Sequence, residues 1–346
     1  MAAAESDLQL FRDCFVRNGG LRSMAALKWL YKENPTGELF VDVALAPNAE
    51  KLAAIYASLP VYLRIGDQRR LAIQSLDTLT DADFRGRGLF VQLAKSTFSR
   101  ATGANVALVY GFPNAHSASG FFGKLGWTRL GPLPFLVRPL RTRYALARAP
   151  KVGKWLKHFP DLPLIARAPR LPPGYSLQED AAFDDRYDDL WRRFASQLDI
   201  AVDRDSKYMN WRIRDKPGEH YHRLMVVGDD HQATACVIFA VKEKHGGRIG
   251  YLMDLISDPK TPKVAQALLR IAVHRMSTLR ADLVLAWCME GAPNHSLHRR
   301  AGFFTLPVSL RPIELHFGAR AFDETIRDRV ADRSNWYISY LDSDTV

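Results

Sequence analysis

The spacing of apolar residues in the first part of the chain changes repeatedly between the period of a strand and the period of a helix. Segments 38–45 and 69–79 are rich in apolar and β-branched residues, which is typical of strands. After Gly88 the apolar residues follow a helical spacing and form one face, made of Leu89, Phe90, Leu93, Ala94, Phe98 and Ala101. The pattern next predicts a buried strand at 105–112, a helix at 114–125 that Gly126 ends, and a closing strand at 133–140. This succession predicts a mixed α/β layer.

Four short segments of the first half recur in the same order in the second half. The matches are 27–38 with 209–220, 75–81 with 252–258, 121–127 with 297–303, and 133–140 with 306–313. They pair Trp29 with Trp211, Asp77 with Asp254, and Gly126 with Gly302, and the separation falls steadily from 182 to 173 residues. Matches that keep their order predict two copies of one fold, and the alternative is two unrelated α+β domains.

A basic, proline-rich stretch separates the two halves. Residues 141–173 contain eight basic residues, one acidic residue, Asp161, and six prolines, so this stretch carries +7 of the net charge of +11. Such a composition predicts a connector. We therefore expect a first domain at 1–140, a connector at 141–173 and a second domain at 174–346.

Composition restricts the class of protein. The 346 residues suggest about two domains, and no apolar run is long enough to span a membrane. The first 15 residues lack the basic and apolar regions of a signal peptide, and three cysteines do not form a disulfide framework. These features predict a cytoplasmic protein. The positive charge indicates an anionic ligand, nucleic acid or a membrane surface.

The sequence Arg85-Gly86-Arg87-Gly88 stands directly before the predicted helix. A glycine-rich turn that leads into a helix N-terminus leaves backbone N–H groups unpaired at the positive end of the helix dipole. This arrangement predicts an anion site, and the alternative is a basic surface turn.

These residues resemble the coenzyme A loop of the GNAT acetyltransferases, whose pattern is Arg or Gln, two residues, Gly, one residue, Gly or Ala. Arg85 and Gly88 match the pattern, and Phe90 stands at the position of the last Gly or Ala. The segment 114–127, NAHSASGFFGKLGW, is similar to the family's second signature. In the second half, Pro262 and Ala265 replace Arg85 and Gly88.

The resemblance implies two tandem GNAT-like domains, each a mixed, mostly antiparallel sheet flanked by helices. The first copy would be intact and the second degenerate, as in bacterial tandem GNAT proteins, some of which belong to surface-polysaccharide pathways. It also implies acetyl-CoA as co-substrate and transfer of the acetyl group to an amine by direct attack, without a covalent enzyme intermediate.

The same resemblance implies the residues that bind coenzyme A. Backbone N–H groups would hold the pyrophosphate, and Arg87 would add charge toward the 3′-phosphate. The residues of this pyrophosphate site are Arg85, Gly86, Arg87, Gly88, Leu89 and Phe90. Leu79 and Thr80 would pair with the pantetheine arm and polarise the thioester carbonyl, and Asn114 lies near the family's pantetheine-binding Asn.

Catalytic roles follow less directly. Asp77 could act as the general base, or it could be a strand-end carboxylate. Thr80 would act through its backbone at the carbonyl. Ser117 lies by the presumed thiolate together with His116 and Ser119, and capping of a helix explains Ser117 equally well. Phe122 replaces the family's usual acid, a Tyr, so we expect it to pack rather than to donate a proton.

Other sites and activities are weighed against these. Cys288, His295 and His298 form a loose cluster without a fourth ligand at zinc spacing, so we expect no metal. The acceptor, an amino sugar, another small amine or a protein amine, would bind in the cleft between the copies. We expect no nucleic acid partner and a weak contact of the connector with an anionic membrane. The alternatives are a non-catalytic protein that binds CoA or a partner, and a FemABX-type aminoacyl transferase.

Overall fold

Two mixed β-sheets of seven strands each organise the chain in the computed structural model, which describes residues 5–47, 51–142, 161–165, 169–311 and 313–344. The helices are α1 (Glu5–Arg17), α2 (Met24–Tyr31), α3 (Leu89–Gly103), α4 (Ala115–Lys124), α5 (Asp185–Ala195), α6 (Ser206–Met209), α7 (Pro262–Thr278), α8 (His295–Arg300) and α9 (Arg327–Ala331). The two sheets confirm the mixed α/β fold with helices on the sheets.

The first sheet has the order β1-β2-β3-β4-β14-β5, and β8 pairs with the far end of β2. Its strands are β1 (Phe40–Leu45), β2 (Leu52–Ile65), β3 (Gln68–Thr80), β4 (Leu108–Gly111), β5 (Thr128–Pro132), β8 (Ile200–Val202) and β14 (His316–Ala321). Strands β3 and β4 are parallel, and their neighbours pair antiparallel.

The second sheet has the order β13-β6-β12-β11-β10-β9-β7. Its strands are β6 (Phe135–Pro139), β7 (Tyr175–Glu179), β9 (His222–Gly228), β10 (Ala233–Lys244), β11 (Gly247–Ser257), β12 (Leu283–Trp287) and β13 (Phe304–Thr305). Here β11 and β12 form the parallel pair. The series β9 to β12 therefore repeats the arrangement of β1 to β4.

The two halves exchange one strand. The expectation that the strand at 133–140 closes the first unit is wrong, because β6 pairs with β12 and β13 of the second sheet. The place beside β4 is taken instead by β14, from the end of the chain. The segment matched in sequence to 133–140 contains a short 3-10 turn at Val308–Leu310, and its described residues, 306–311 and 313, form no strand.

The other three sequence matches occupy equivalent places. Trp29 lies in α2 before β1, and Trp211 lies in a helical segment before β9, the strand equivalent to β1. Asp77 and Asp254 lie on the parallel strands β3 and β11. Gly126 and Gly302 follow α4 and α8 with φ of 67° and 85°, which glycine adopts without strain. These positions are consistent with two related units.

Strand β2 contains a proline in its middle, which usually interrupts a ladder. Pro60 pairs with Ile73 of β3 on one side. On the other side β1 has ended at the Phe40–Ser58 pair and β8 begins only at the Leu63–Val202 pair. The missing N–H of Pro60 therefore costs the sheet no hydrogen bond.

Three apolar cores hold the layers together. One lies between α3, α4 and the outer face of the first sheet, and one lies under α7 on the second sheet. The largest lies between the sheets and combines α1, α2 and β2 with α5, α6 and the residues around Trp336. The halves thus share a core as well as strands.

Most of the basic connector falls outside the described residues, including Lys151, Lys154 and Lys157. At its start Arg141 forms an ion pair with Asp161 at 2.6 Å. Among the described helices, none is long and apolar enough to cross a bilayer.

Candidate active site

The parallel strands β3 and β4 separate at one end. They pair from Ile73 with Val109 to Ser75 with Gly111, and β3 then continues to Thr80 without β4. A bulge at Leu76 marks the point of separation, because Asp77 and Ser75 face consecutive residues of β2. The gap is a cavity of about 200 Å³, lined by Ser75, Leu76, Thr78, Gly111, Phe112, Pro113, Asn114, Ser117, Phe121 and Trp127.

The edge of β3 that faces this gap offers backbone groups. Asp81 donates its N–H to the carbonyl of Ala53 of the neighbouring strand β2. Because the backbone groups of successive residues point to opposite sides of a strand, the N–H and C=O of Leu79 also point toward β2. The same groups of Thr78 and Thr80 point to the open side. Of the two residues expected to pair with a pantetheine arm, Thr80 is placed to do so and Leu79 is not, and Thr78 is the residue that the sequence reasoning missed.

The glycine loop lies beside this gap and borders a cavity of about 300 Å³ that reaches Thr80 and α4. Gly86 and Gly88 have φ of 79° and 75°, a conformation that other residues rarely adopt. Gly88 is the N-cap of α3 and provides no side-chain cap. Val91 donates its N–H to the carbonyl of Gly88, and the N–H groups of Leu89 and Phe90 are left for an anion.

Basic side chains surround the loop. Arg85 and Arg87 are exposed, and Lys124 at the end of α4 lines the same cavity. Arg85 donates its Nε–H to the carbonyl of Thr80 at 3.4 Å, and Arg87 lies over the ring of Phe84 at 5.0 Å. The charges thus add to the helix dipole around one cavity.

Phe90 fits the loop because its ring turns away from it. The ring packs edge-on against Phe121, with centroids 5.1 Å apart, under α4. A Cβ on Gly120 would lie 2.7 Å from the ring of Phe90. The glycine at 120 therefore makes room for the aromatic side chain where the GNAT pattern has a small residue.

Asn114 and Ser117 lie together at the mouth of the gap. Asn114 is the N-cap of α4, and its Oδ1 accepts the backbone N–H groups of His116 and Ser117, each at 3.0 Å. The Oγ of Ser117 lies 3.2 Å from the same Oδ1. The Oδ1 of Asn114 is therefore fully used in capping the helix. The amide Nδ2 of Asn114 and the hydroxyl of Ser117 border the cavity.

Asp77 is buried next to the bulge, with 3% of its surface exposed. It accepts hydrogen bonds from Arg22 at 2.5 Å and from the hydroxyl of Tyr31 at 2.7 Å. Burial raises the pKa of Asp77 above its ordinary value, although Arg22 opposes the shift. Arg22 also binds Asp344 near the end of the chain at 3.0 Å.

The second half repeats this arrangement without any opening. Asp254 forms an ion pair with Arg204 at 2.8 Å and accepts a hydrogen bond from Tyr337 at 2.6 Å. Arg204 lies 182 residues after Arg22, the same separation as Trp29 and Trp211. This common separation could have identified both arginines from the sequence. The second half has no glycine loop and still keeps the contacts of the aspartate with an arginine and a tyrosine. These contacts therefore stabilise the fold, independently of any catalytic role of Asp77.

The corresponding gap between β11 and β12 is filled by the protein. Their pairing ends at Leu252 with Ala286, and β11 has a bulge at Met253. The side chain of Asn294 occupies the gap, donating to the carbonyl of Leu255 at 2.8 Å. The cavity beside the N-terminus of α7 contains Asp229, Asp230 and Asp258 together with Arg193 and Lys260, and Arg193 forms an ion pair with Asp258 at 2.7 Å.

Phe122 packs outside the gap. Its ring lies against β14, where a Cβ on Gly318 would approach it to 2.5 Å, and Arg129 stacks over it at 4.3 Å. The neighbouring Phe121 lines the cavity instead. This position is what we expect of a packing residue.

The loose cluster of Cys288, His295 and His298 does not converge on one point. Cys288 donates to Asn294 Oδ1, and the Nδ1 of His298 lies 2.8 Å from the carbonyl of Asn294. Within the described residues, three other side chains could hold a divalent ion, namely Asp180, His220 and His222. They lie at the outer edge of the second sheet and not at the gap.

Comparisons with known proteins agree with this geometry. Residues 3–130 match the acetyltransferase (GNAT) domain family. The structure resembles N-myristoyltransferase from Saccharomyces cerevisiae with bound myristoyl-CoA, with a TM-score of 0.61 and 13% identity over 92% of this chain and 81% of that one. No curated protein sequence matches the chain.

Two bacterial proteins are similar to the same extent. A probable N-acyltransferase of unknown function from Enterococcus faecalis V583 has a TM-score of 0.63 and 12% identity, over 92% of this chain and 71% of that one. A GCN5-related N-acetyltransferase from Anabaena variabilis has a TM-score of 0.62 and 16% identity, with the same coverage. Residues 3–130 therefore form a GNAT acyltransferase domain, and the chain as a whole has the fold of the GNAT-type N-acyltransferases.

Proposed function

We propose that the protein transfers an acetyl group from acetyl-CoA to an amine, using one site per chain, in the first half. The observation that carries the proposal is the separation of β3 and β4 directly beside an uncapped, glycine-led helix N-terminus. The loop cavity suits a pyrophosphate, and the gap suits the pantetheine arm. The backbone groups of Thr78 and the N–H of Thr80, which point to the gap, would complete the sheet toward that arm.

The size of the gap supports a short acyl group. About 200 Å³ is below the usual range of about 300–1,000 Å³ for ligand pockets, so it fits the end of a pantetheine arm and two carbons. Myristoyl-CoA, which the yeast relative binds, has a much longer chain. We therefore propose acetyl-CoA rather than a long-chain acyl-CoA as the donor.

The chemistry would be a direct attack. The amine nitrogen bonds to the thioester carbonyl carbon, the C–S bond breaks, and the sulfur leaves as the CoA thiolate. Fixed backbone N–H groups at the Leu76 bulge and at Thr78 would stabilise the developing oxyanion. Asp77, whose pKa burial raises, would accept the proton that the amine loses, and the Ser117 hydroxyl would support the thiolate.

The acceptor is an amine, and an amino sugar or another small amine suits a cleft between the two halves. The site of attack would be approached from the face of the first sheet that carries Asp77, since α3 and α4 cover the other face. The acceptor would therefore bind on this side, where the two halves meet.

Calorimetry with acetyl-CoA tests the site. We expect one site per chain, and we expect Gly88→Asp to abolish binding because an aspartate there adds a side chain and a negative charge at the pyrophosphate. The matched control is Thr261→Asp at the N-cap of α7, which should leave the affinity unchanged. Two sites per chain, or unchanged affinity in Gly88→Asp, would contradict the proposal.

Release of free thiol from acetyl-CoA in the presence of amines tests the activity. Binding of acetyl-CoA without thiol release across a broad set of amines would favour a non-catalytic CoA-binding protein. Absence of acetyl-CoA binding, with transfer from an aminoacyl donor, would favour the FemABX-type alternative.

A further inference from the structure

A second cavity of about 590 Å³ lies where the two halves meet. One wall is the connection between β5 and β6, from Leu130 to Leu136, and another is the loop after β12, from Cys288 to Gly291. Arg311 and Arg333 from the last part of the chain complete the cavity. No part of the acetyl-CoA proposal uses this space.

The two arginines are fixed but not neutralised. Arg333 donates an Nη1–H to the carbonyl of Leu130 at 2.5 Å, and Arg311 donates its Nε–H to the carbonyl of Leu306 at 3.3 Å. Arg311 also lies over the ring of Phe135 at 5.5 Å. Backbone carbonyls hold both guanidinium groups, yet in the described part of the chain neither one has a carboxylate within ion-pair distance.

Nearby acids do not supply the missing partner. Asp332 lines the same cavity, but its Oδ1 accepts the backbone N–H and the hydroxyl of Ser334 at 2.8 and 2.7 Å. Glu290 also lines the cavity and attracts Arg333 electrostatically, but it is exposed and lies beyond ion-pair distance of both arginines. The remaining guanidinium N–H groups are thus directed to the cavity or to water.

The electrostatics agree with an unfilled anion site. Burial lowers the pKa of Arg333, and the neighbouring charge of Arg311 lowers it further against the opposing effect of Glu290. Burial also lowers the pKa of Arg311. Two like charges that line one cavity are stabilised when an anion binds between them.

Part of the remaining lining is apolar, beside the polar residues Glu290, His295, Thr305, Asp332 and Ser334. Leu133, Phe135 and Met289 are buried core residues that also face the cavity. A ligand that fills the space would therefore place an apolar body on these side chains and an acidic group on the arginines. The volume lies inside the usual range of about 300–1,000 Å³ for small-molecule sites.

We propose that this cavity binds an amphipathic anion, a small molecule with one carboxylate or phosphate held by Arg311 and Arg333 and an apolar part held by Phe135 and Met289. Strand β14 alone separates β4 from β5, so the cavity lies about 10 Å along the same sheet edge from the gap beside β4. This position suits the acceptor amine. That role rests on the proposed function, but the anion site itself does not depend on the proposed function.

A pair of fluorescent probes tests the site. 8-Anilinonaphthalene-1-sulfonate is an amphipathic anion of suitable size, and N-phenyl-1-naphthylamine is the same body without the sulfonate. We expect saturable binding of the sulfonate at one site per chain, about tenfold tighter than binding of the uncharged probe. In Arg311→Gln/Arg333→Gln we expect the two probes to bind equally weakly.

Four controls accompany this experiment. Arg327→Gln, an exposed arginine of the same segment paired with Glu324, should bind the sulfonate as the wild type does. Circular dichroism and the unfolding midpoint should show that the double variant is folded, since the sulfonate also binds partly unfolded chains. Excess CoA should not displace the probe, and Gly88→Asp should still bind it.

The outcomes separate this inference from the proposed function. Equal binding of the two probes by the wild type, sulfonate binding that survives in the double variant, or displacement by CoA would overturn the anion site. Loss of acetyl-CoA binding would overturn the proposed function and leave the probe result standing. A carboxylated and a phosphorylated competitor, phenylacetate and phenyl phosphate, then show which acidic group the arginines prefer.

Discussion

The indole rings of Trp29 and Trp211 stack with centroids 4.6 Å apart, and each donates its Nε1–H to the backbone carbonyl of the other, at 2.9 and 3.1 Å. The two residues come from matching segments of the two halves and meet at the interface between them. The contact is reciprocal, as expected where two related units face each other across a pseudo-twofold axis.

Replacing either tryptophan by phenylalanine should destabilise the protein by a similar amount. Each change leaves one buried carbonyl without its donor, which costs about 1–3 kcal/mol. Because the rings share one stack, the double variant should lose less than the sum of the single losses. Urea unfolding measures these free energies. Trp127→Phe is the control, since the buried Nε1 of Trp127 has no partner within the described residues.

Two glycines of α4 should respond oppositely to alanine. Gly120→Ala brings a Cβ to 2.7 Å from the Phe90 ring and should destabilise the protein by about 1–3 kcal/mol. A Cβ on Gly123 would meet open space, so Gly123→Ala should gain up to about 1 kcal/mol of helix propensity. The free energy of unfolding measures both effects. A stabilising Gly120→Ala would mean that Phe90 does not pack as described.

Asp77 and Asp254 allow catalysis to be separated from structure. Asp254→Asn leaves Arg204, which is fully buried, without one of its two carboxylates and should cost about 3–5 kcal/mol. Asp77→Asn should cost less, since Arg22 is partly exposed and keeps Asp344. Only Asp77→Asn should lower the rate of thiol release, with acetyl-CoA affinity preserved. Equal specific activity of the two folded variants would make Asp77 structural.

The stability of the protein should fall in mild acid through His298. Burial lowers the pKa of this histidine from 6.5 to about 4. Between these values the unfolded chain binds a proton that the folded chain does not. The contribution of His298 is therefore complete above about pH 6.5 and is lost as the pH falls toward 4, by about 3 kcal/mol in total.

Urea unfolding at pH 7 and pH 5 measures this loss. His298→Gln keeps a donor for the carbonyl of Asn294 and should show a flatter dependence than the wild type over this range. His116→Gln, at an exposed position of α4, should follow the wild type. Parallel curves for the wild type and His298→Gln would show that His298 titrates normally.

Local features of the site were predictable because they depend on neighbouring residues. The turn at Gly86 and Gly88, the helix behind it and the glycine after α4 follow from backbone preferences over a few positions. The arginine that binds Asp77 could also have been found. Arg22 and Arg204 share the 182-residue separation of the tryptophans, and both bind the aspartate of the matched pair.

Contacts between segments that are distant in the sequence were not predictable in the same way. The apolar pattern of 133–140 identifies a strand, but either sheet offers an equivalent antiparallel edge, beside β4 or beside β12, and only tertiary packing selects one. The segment 306–313 has a similar composition to 133–140, yet Pro307 leads into a 3-10 turn, and the strand of this half begins at His316. That Arg311 and Arg333 line one cavity likewise depends on the folded chain.

The exchanged strands have a consequence during synthesis on the ribosome. Residues 3–130 contain the acetyltransferase domain, but β5 is joined to the rest of its sheet only through β14. Until residues 316–321 have been made, β4 and β5 present unpaired edges, which are prone to pair with other chains. The nascent domain must therefore remain incomplete, sheltered or loosely folded, until nearly the whole chain has emerged. An early stop codon in the second half would consequently remove the strand that joins β5 to the first sheet.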